Sequence, residues 1–199
     1  MNTSRLTSLL VAGVLAVALL GGCSALVAQN PSGAYSPVNA VKLDGETRVI
    51  LAGADVVAYF TDGRYRPGEA RFASTWEGVG FRFASAEHKA LFDAEPTKYL
   101  PQFGGYCANG VAYGIPWGGD ADTWQMIDGK LYIFGGQGSK DAFNLDPARN
   151  LALAQGYWRD EIAGSNSFWQ RSKRLVFRVP HYKTGEELAA MVAAAKAGK

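Results

Sequence analysis

Along residues 79–84 the chain alternates in character. Val79, Phe81 and Phe83 are apolar, while Gly80, Arg82 and Ala84 are small or charged. A period of two predicts a strand with one buried face. The period then lengthens: His88, Leu91, Phe92 and Glu95 recur at helical spacing behind Ser85, whose hydroxyl suits an N-cap. His88 is therefore expected at the border of the helix's apolar face. Pro96 ends that helix and can open a second short turn carrying Tyr99. Two glycines, Gly104 and Gly105, then let the backbone turn sharply into Tyr106 and Cys107.

Upstream, residues 48–52 and 56–60 have the β-branched and aromatic content of short strands, separated by Gly53-Ala54-Asp55. Asp62-Gly63 marks a turn, and residues 71–76 predict another strand. Downstream, residues 123–127 and 130–134 flank Asp128-Gly129, the strongest hairpin signal in the chain. Gly135-Gly136-Gln137-Gly138 reads as a loop, because it lacks the Lys-Ser/Thr ending of a phosphate-binding loop. Ser139 is placed to cap a short helix through Phe143. Asp146 and Pro147 then supply the N-cap and first residue of a longer helix to about Gly164, with Leu151, Ala154, Trp158 and Ile162 as its buried stripe. Thr184 and Glu187 form a capping box ahead of Leu188, Met191, Val192 and Ala195, the apolar side of a terminal amphipathic helix. These elements predict an α+β fold: a small antiparallel sheet with helices packed on one face, followed by a C-terminal helical extension.

The first residues follow different rules. Arg5 precedes an apolar run, residues 9–20, that is short for a membrane span and ends in Leu20-Gly21-Gly22-Cys23. This resembles a bacterial lipobox, so residues 1–23 read as a lipoprotein signal with Cys23 as the lipidated residue. Acyl chains there would anchor the protein to a membrane. Ser24 stands where an aspartate would resemble an inner-membrane retention signal, which points to the outer membrane of a bacterial envelope, facing the periplasm. Residues 24–46, rich in Pro, Ser, Gly and Asn, read as a flexible tether. Residues 47–164 then form the domain and residues 165–199 a basic extension.

Among 199 residues, 48% are hydrophobic and 12% aromatic, the composition of a globular chain. Without Arg5 the chain carries 19 basic and 18 acidic residues, a balance that gives no support for nucleic-acid binding. The charges are unevenly placed. Residues 165–199 hold seven Lys/Arg against two Glu, a net +5, whereas residues 24–164 hold 12 basic and 16 acidic, a net −4. The basic tail thus has an acidic body available to fold back on. Phe168, Trp169 and Phe177, interleaved with basic residues, suit a membrane interface, but buried packing accounts for them equally well, and the charge split favours folding back.

From about Arg48 to Gly164 the chain resembles the YHS domain in the version carried by secreted proteins and lipoproteins. The resemblance lies in Asp55-Val56-Val57-Ala58-Tyr59-Phe60, in residues 81–88, in Phe92 through Pro96 to Tyr99, in Gly104-Gly105-Tyr106-Cys107-Ala108, and in residues 128–132. It implies a small domain of a metal-handling kind. Many metal-associated versions carry a cysteine where this chain has Ala84. The donors left are Cys107 and His88, with Met126 offering a thioether, a set whose chemistry suits copper or another soft metal. With Cys23 lipidated, Cys107 has no disulfide partner in the chain. Three functions stay open: a membrane-anchored envelope binding protein that takes copper through Cys107 and His88; a module that binds a non-metal ligand or an envelope protein through Asp55, Tyr59, Tyr106, Trp124 and Trp158; and a reactive Cys107–His88 thiol. For each of these aromatics, and for Cys107 and His88 singly, ordinary core packing is the competing explanation.

Overall fold

The computed structural model describes residues 35–43, 45 and 47–198. The proposed signal, Cys23 and most of the predicted tether lie outside them. The architecture is α+β, as the hydrophobic pattern predicts. Strands β1 (Ala40–Lys42), β2 (Arg48–Ile50), β3 (Glu69–Trp76) and β4 (Val79–Phe83) form a sheet in the order β1-β2-β4-β3. The sheet is mixed instead of antiparallel throughout. β1/β2 and β3/β4 are antiparallel, whereas β2 and β4 run parallel, with Val49 opposite Gly80. A separate hairpin of β5 (Asp120–Ile127) and β6 (Lys130–Phe134) turns at Asp128 and Gly129, both in the left-handed region.

The predicted tether does not extend to residue 46. Val38 is fully buried, residues 40–42 are β1, and Tyr35 packs edge-on against Trp76 at 5.5 Å. The Asn39 carboxamide donates to the carbonyls of Gly105 and Gly119, both at 3.0 Å. A polar, Pro-rich segment is held here because its few apolar side chains and its one amide find partners far along the chain. Gly104 completes the seam: a Cβ there would sit 2.3 Å from the Pro37 carbonyl oxygen.

The strand expected at residues 56–60 is a helix, α1 (Ala58–Thr61). Asp55 decides this. Its Oδ1 accepts from the amides of Val57 (2.9 Å) and Ala58 (3.2 Å), capping a helical turn in a segment whose β-branched content favours a strand. Helix α2 (Ala86–Ala94) starts as expected, with Ser85 Oγ accepting from the His88 amide, and its Phe92 packs on Phe81 and Phe83. Helix α3 (Pro96–Tyr99) opens on its proline, and a turn at residues 102–105 leads to α4 (Ala108–Val111).

Helix α5 (Gln137–Phe143) begins two residues before the predicted cap. Ser139 lies inside it and bonds elsewhere. Helix α6 (Pro147–Tyr157) has the predicted Asp146 cap and continues as a wider turn to Ile162, burying Ala154 and Ile162. Two clusters form the core. One gathers Val38, Ile50, Tyr59, Phe81, Phe83, Phe92 and Ile133; the other gathers Phe103, Tyr106, Tyr132, Phe134, Phe143 and Ile162.

The tail folds back on the body through α7 (Ser167–Val176) and α8 (Gly185–Ala197). Glu161 accepts from Lys173 at 2.8 Å, from Gln170 at 3.1 Å and from Arg174. Lys196 reaches Asp141 at 2.6 Å, and His181 stacks on Tyr113 at 5.4 Å. The basic extension thus meets acidic body residues, as the charge asymmetry predicts. Helix α7 itself was not evident in the sequence.

Candidate functional site

Two places gather chemistry-bearing side chains. The first ties the start of α1 to the β4–α2 junction. Asp55 is fully buried, and its Oδ2 accepts from the Ala84 amide at 2.8 Å and meets His88 Nδ1 at 2.6 Å. His88 Nε2 faces Thr61 Oγ1 at 3.2 Å and Asp62 Oδ1 at 3.5 Å. A hydrogen bond from Arg66, then one from Thr61 and the nearby His88, hold the Asp62 carboxyl below its ordinary range. A buried carboxylate, an imidazole and a hydroxyl in line are the parts of a nucleophilic triad. The Thr61 hydroxyl, however, is already occupied by the Val57 carbonyl and by Asp62. Its observable role is to fasten three chain segments.

The second place lies where α4, α5 and α8 meet. Cys107 caps α4: its Sγ accepts from the Gly110 amide at 3.4 Å and lies 3.0 Å from Ser139 Oγ. Its backbone is fixed by a bridge to Ile133 and by donation to the Trp117 carbonyl at 2.9 Å. Beyond Ser139 opens a hollow of about 540 Å³, walled by Ala142, Leu188, Ala189 and Val192, with Asn109, Ser139 and Lys196 as its polar members. That volume falls within the range of small-molecule pockets. Asn109 is 7% exposed as a whole residue; its carboxamide makes no hydrogen bond to a described residue and is not sealed from solvent, so it faces the hollow. Lys196 pairs with Asp141 and holds its carboxyl below the ordinary range, with a bond from Gln137 adding to it.

Of the residues singled out from sequence, Asp55 and His88 meet at the first place and Cys107 borders the second, but the aromatic ones converge on neither. Tyr59 and Trp124 are neighbours, rings 5.1 Å apart, but Tyr59 is buried and donates to the Ala121 carbonyl at 2.6 Å; burial pushes its phenol well above the ordinary range. Tyr106 belongs to the other core cluster and donates to the Val38 carbonyl at 3.0 Å. Trp158 packs on Phe103 at 5.7 Å. Asp55 belongs with His88. The four aromatic side chains lie in or against the two core clusters. Asn109 and Ser139 were missed because their importance comes from α8, folded over from about 50 residues away or more.

The copper donor set can be checked against the same geometry. His88 has both ring nitrogens engaged by Asp55, Thr61 and Asp62, while Cys107 is engaged by Gly110 and Ser139; no residue partners both. Met126 packs against the first core cluster. Among the described residues no group of three or more His, Cys, Asp or Glu is arranged to hold a metal. The residues present do not fit a joint copper site. Nor, among the described residues, is any helix long and apolar enough to cross a membrane. No family model, curated protein or solved structure matches the chain.

Proposed function

We propose that this chain is a lipid-anchored binding protein of the bacterial envelope, of YHS-like type. Cys23 carries the anchor on the periplasmic side of the outer membrane, and the hollow between α4, α5 and α8 seats the ligand. The observation that carries the binding-module reading is the hollow itself, about 540 Å³ and walled largely by apolar side chains, with the Asn109 carboxamide lining it and making no hydrogen bond to a described residue. The fitting ligand has an apolar body for Ala142, Leu188 and Val192, and one hydrogen-bonding group for Asn109. The copper reading has weaker support because Cys107 and His88 spend their donor atoms on separate partners. The reactive-thiol reading is weaker for the same reason: no imidazole adjoins the sulfur, and Cys107 is 4% exposed.

An anilinonaphthalene sulfonate dye, apolar with one acidic group, provides the test. It should bind the protein with increased emission. Ala189→Trp, which fills the hollow from the exposed helix α8, should abolish that site while leaving the unfolding midpoint within a few degrees. Equal dye binding by the filled variant would overturn the proposal. Cys107 lies directly behind Ser139, so bound dye should also slow its alkylation.

A further inference from the structure

Helix α7 is inside out. Its polar side, Ser167, Gln170 and Arg174, faces the body, where Gln170 donates to the Gly114 carbonyl at 2.9 Å and Arg174 meets Glu161. Its apolar side faces solvent. Phe168 and Trp169 on the first turn, and Leu175, Val176 and Phe177 at the end, are 45%, 55%, 67%, 73% and 67% exposed. At 100° per residue the first four fall on one side of the helix, with Phe177 immediately beyond its end. Single exposed apolar residues need no explanation, but five large ones on one side of one helix and its end do.

We propose that this face lies on an anionic phospholipid bilayer, the one to which Cys23 would be anchored. Two further observations select that occupant. The first is charge. Arg178 and Lys183 follow the patch and form no ion pair among the described residues, and Arg171 on the flank of α7 is bonded only to Ser167. Cations bordering an aromatic and aliphatic face match the headgroup layer above the acyl chains. The second is where the chain leaves the domain. The Gly164 amide donates to the Ser36 carbonyl at 2.8 Å, which places the N-terminal segment beside the entry to α7. Eleven residues lie between Cys23 and Tyr35, so the twelve steps span at most ~43 Å when extended. An anchor at Cys23 would therefore hold the membrane within reach of this face. The fold-back and membrane readings of the tail are then compatible: one side of α7 docks on the body and the other on lipid.

The proposal rests in part on lipidation of Cys23, and two readouts on the same full chain keep the ideas apart. The protein is reconstituted with vesicles of phosphatidylethanolamine and phosphatidylglycerol carrying brominated acyl chains, and emission is compared with that of Trp169→Phe. The difference assigned to Trp169 should shift to the blue and fall by about half or more, as for a ring buried at the acyl boundary. Leu175→Glu, an exposed substitution that leaves the body contacts intact, should remove the quenching. Mass analysis of the Cys23 peptide reports acylation. Quenching without acylation supports the docking face and refutes the anchor. Acylation with Trp169 unquenched overturns the docking face, leaving the patch to a protein partner.

Discussion

Asp55→Ala removes one carboxylate and four hydrogen bonds. The donors are the amides of Val57, Ala58 and Ala84, and the ring of His88. The site is fully buried on the Asp55 side, so water cannot readily replace the oxygens. Hydrogen bonds to a charged group contribute ~1.5–3 kcal/mol each, and four summed at face value would exceed what one substitution costs. Local relaxation at the partly exposed His88 edge reduces the total, and we expect a loss of about 3–5 kcal/mol. For a chain of this size that lowers Tm by roughly 10 °C. Asp55→Asn keeps Oδ1 for the α1 amides and, with a tautomer change, a bond to His88, losing mainly the Ala84 partner. It should cost only about 1–2 kcal/mol. Because His88 shares the lost partner, His88→Ala should cost much less in the Asp55→Ala background than alone. Urea denaturation of the wild-type chain, of Asp55→Asn and of the three variants of this cycle, with unchanged slope, measures each quantity. A cost below about 1 kcal/mol for Asp55→Ala, or strict additivity with His88→Ala, would refute the claim that this carboxylate fastens α1 to the β4–α2 junction.

Gly104→Ala should destabilise by about 2–4 kcal/mol, because its φ of +59° disfavours a side chain and the new Cβ would strike the Pro37 carbonyl; faster hydrogen exchange in residues 35–42 would show the seam opening. Glu161→Gln should cost about 1–2 kcal/mol by leaving Arg174 and Lys173 without their anion, with exchange rising first in α7. Burial opposes ionisation of Glu161, but bonds from Lys173 and Gln170 and the charge of Arg174 outweigh it, so its carboxyl is held below the ordinary glutamate value. A carboxyl depressed in the folded state contributes fully above its unfolded value, about 4.3, and that contribution is lost as pH falls further. Acid-induced exchange of α7 should therefore precede global unfolding, and Glu161→Gln should abolish that pH dependence. Copper titrated into wild type, Cys107→Ala and His88→Ala should be taken up weakly and alike; tight uptake lost in both variants would restore the joint site.

The α2 helix, the β5–β6 hairpin and the capping box of α8 were all legible in the sequence. Each depends on residues within four or five positions, where a cap, a proline or an Asp-Gly turn decides the backbone. The charge split between body and tail likewise foretold the docking of the tail. Residues 56–60 show where such reasoning fails: their β-branched content favours a strand, but Asp55 caps a helix there. The fate of residues 35–42 was equally hidden, because Val38 and Asn39 are held by partners about 65–80 positions away.

The candidate site divides in the same way. Sequence alone singled out Cys107 and His88 as reactive side chains and placed them on a turn and a helix. Only the tertiary structure decided that they serve different neighbourhoods, that Asn109 lines a hollow closed over by α8, and that α7 faces its polar side inward. A hydrogen-bond donor or an apolar stripe is written in the residue types. Whether it is satisfied depends on which distant segment packs against it, and that is fixed by the folded chain as a whole.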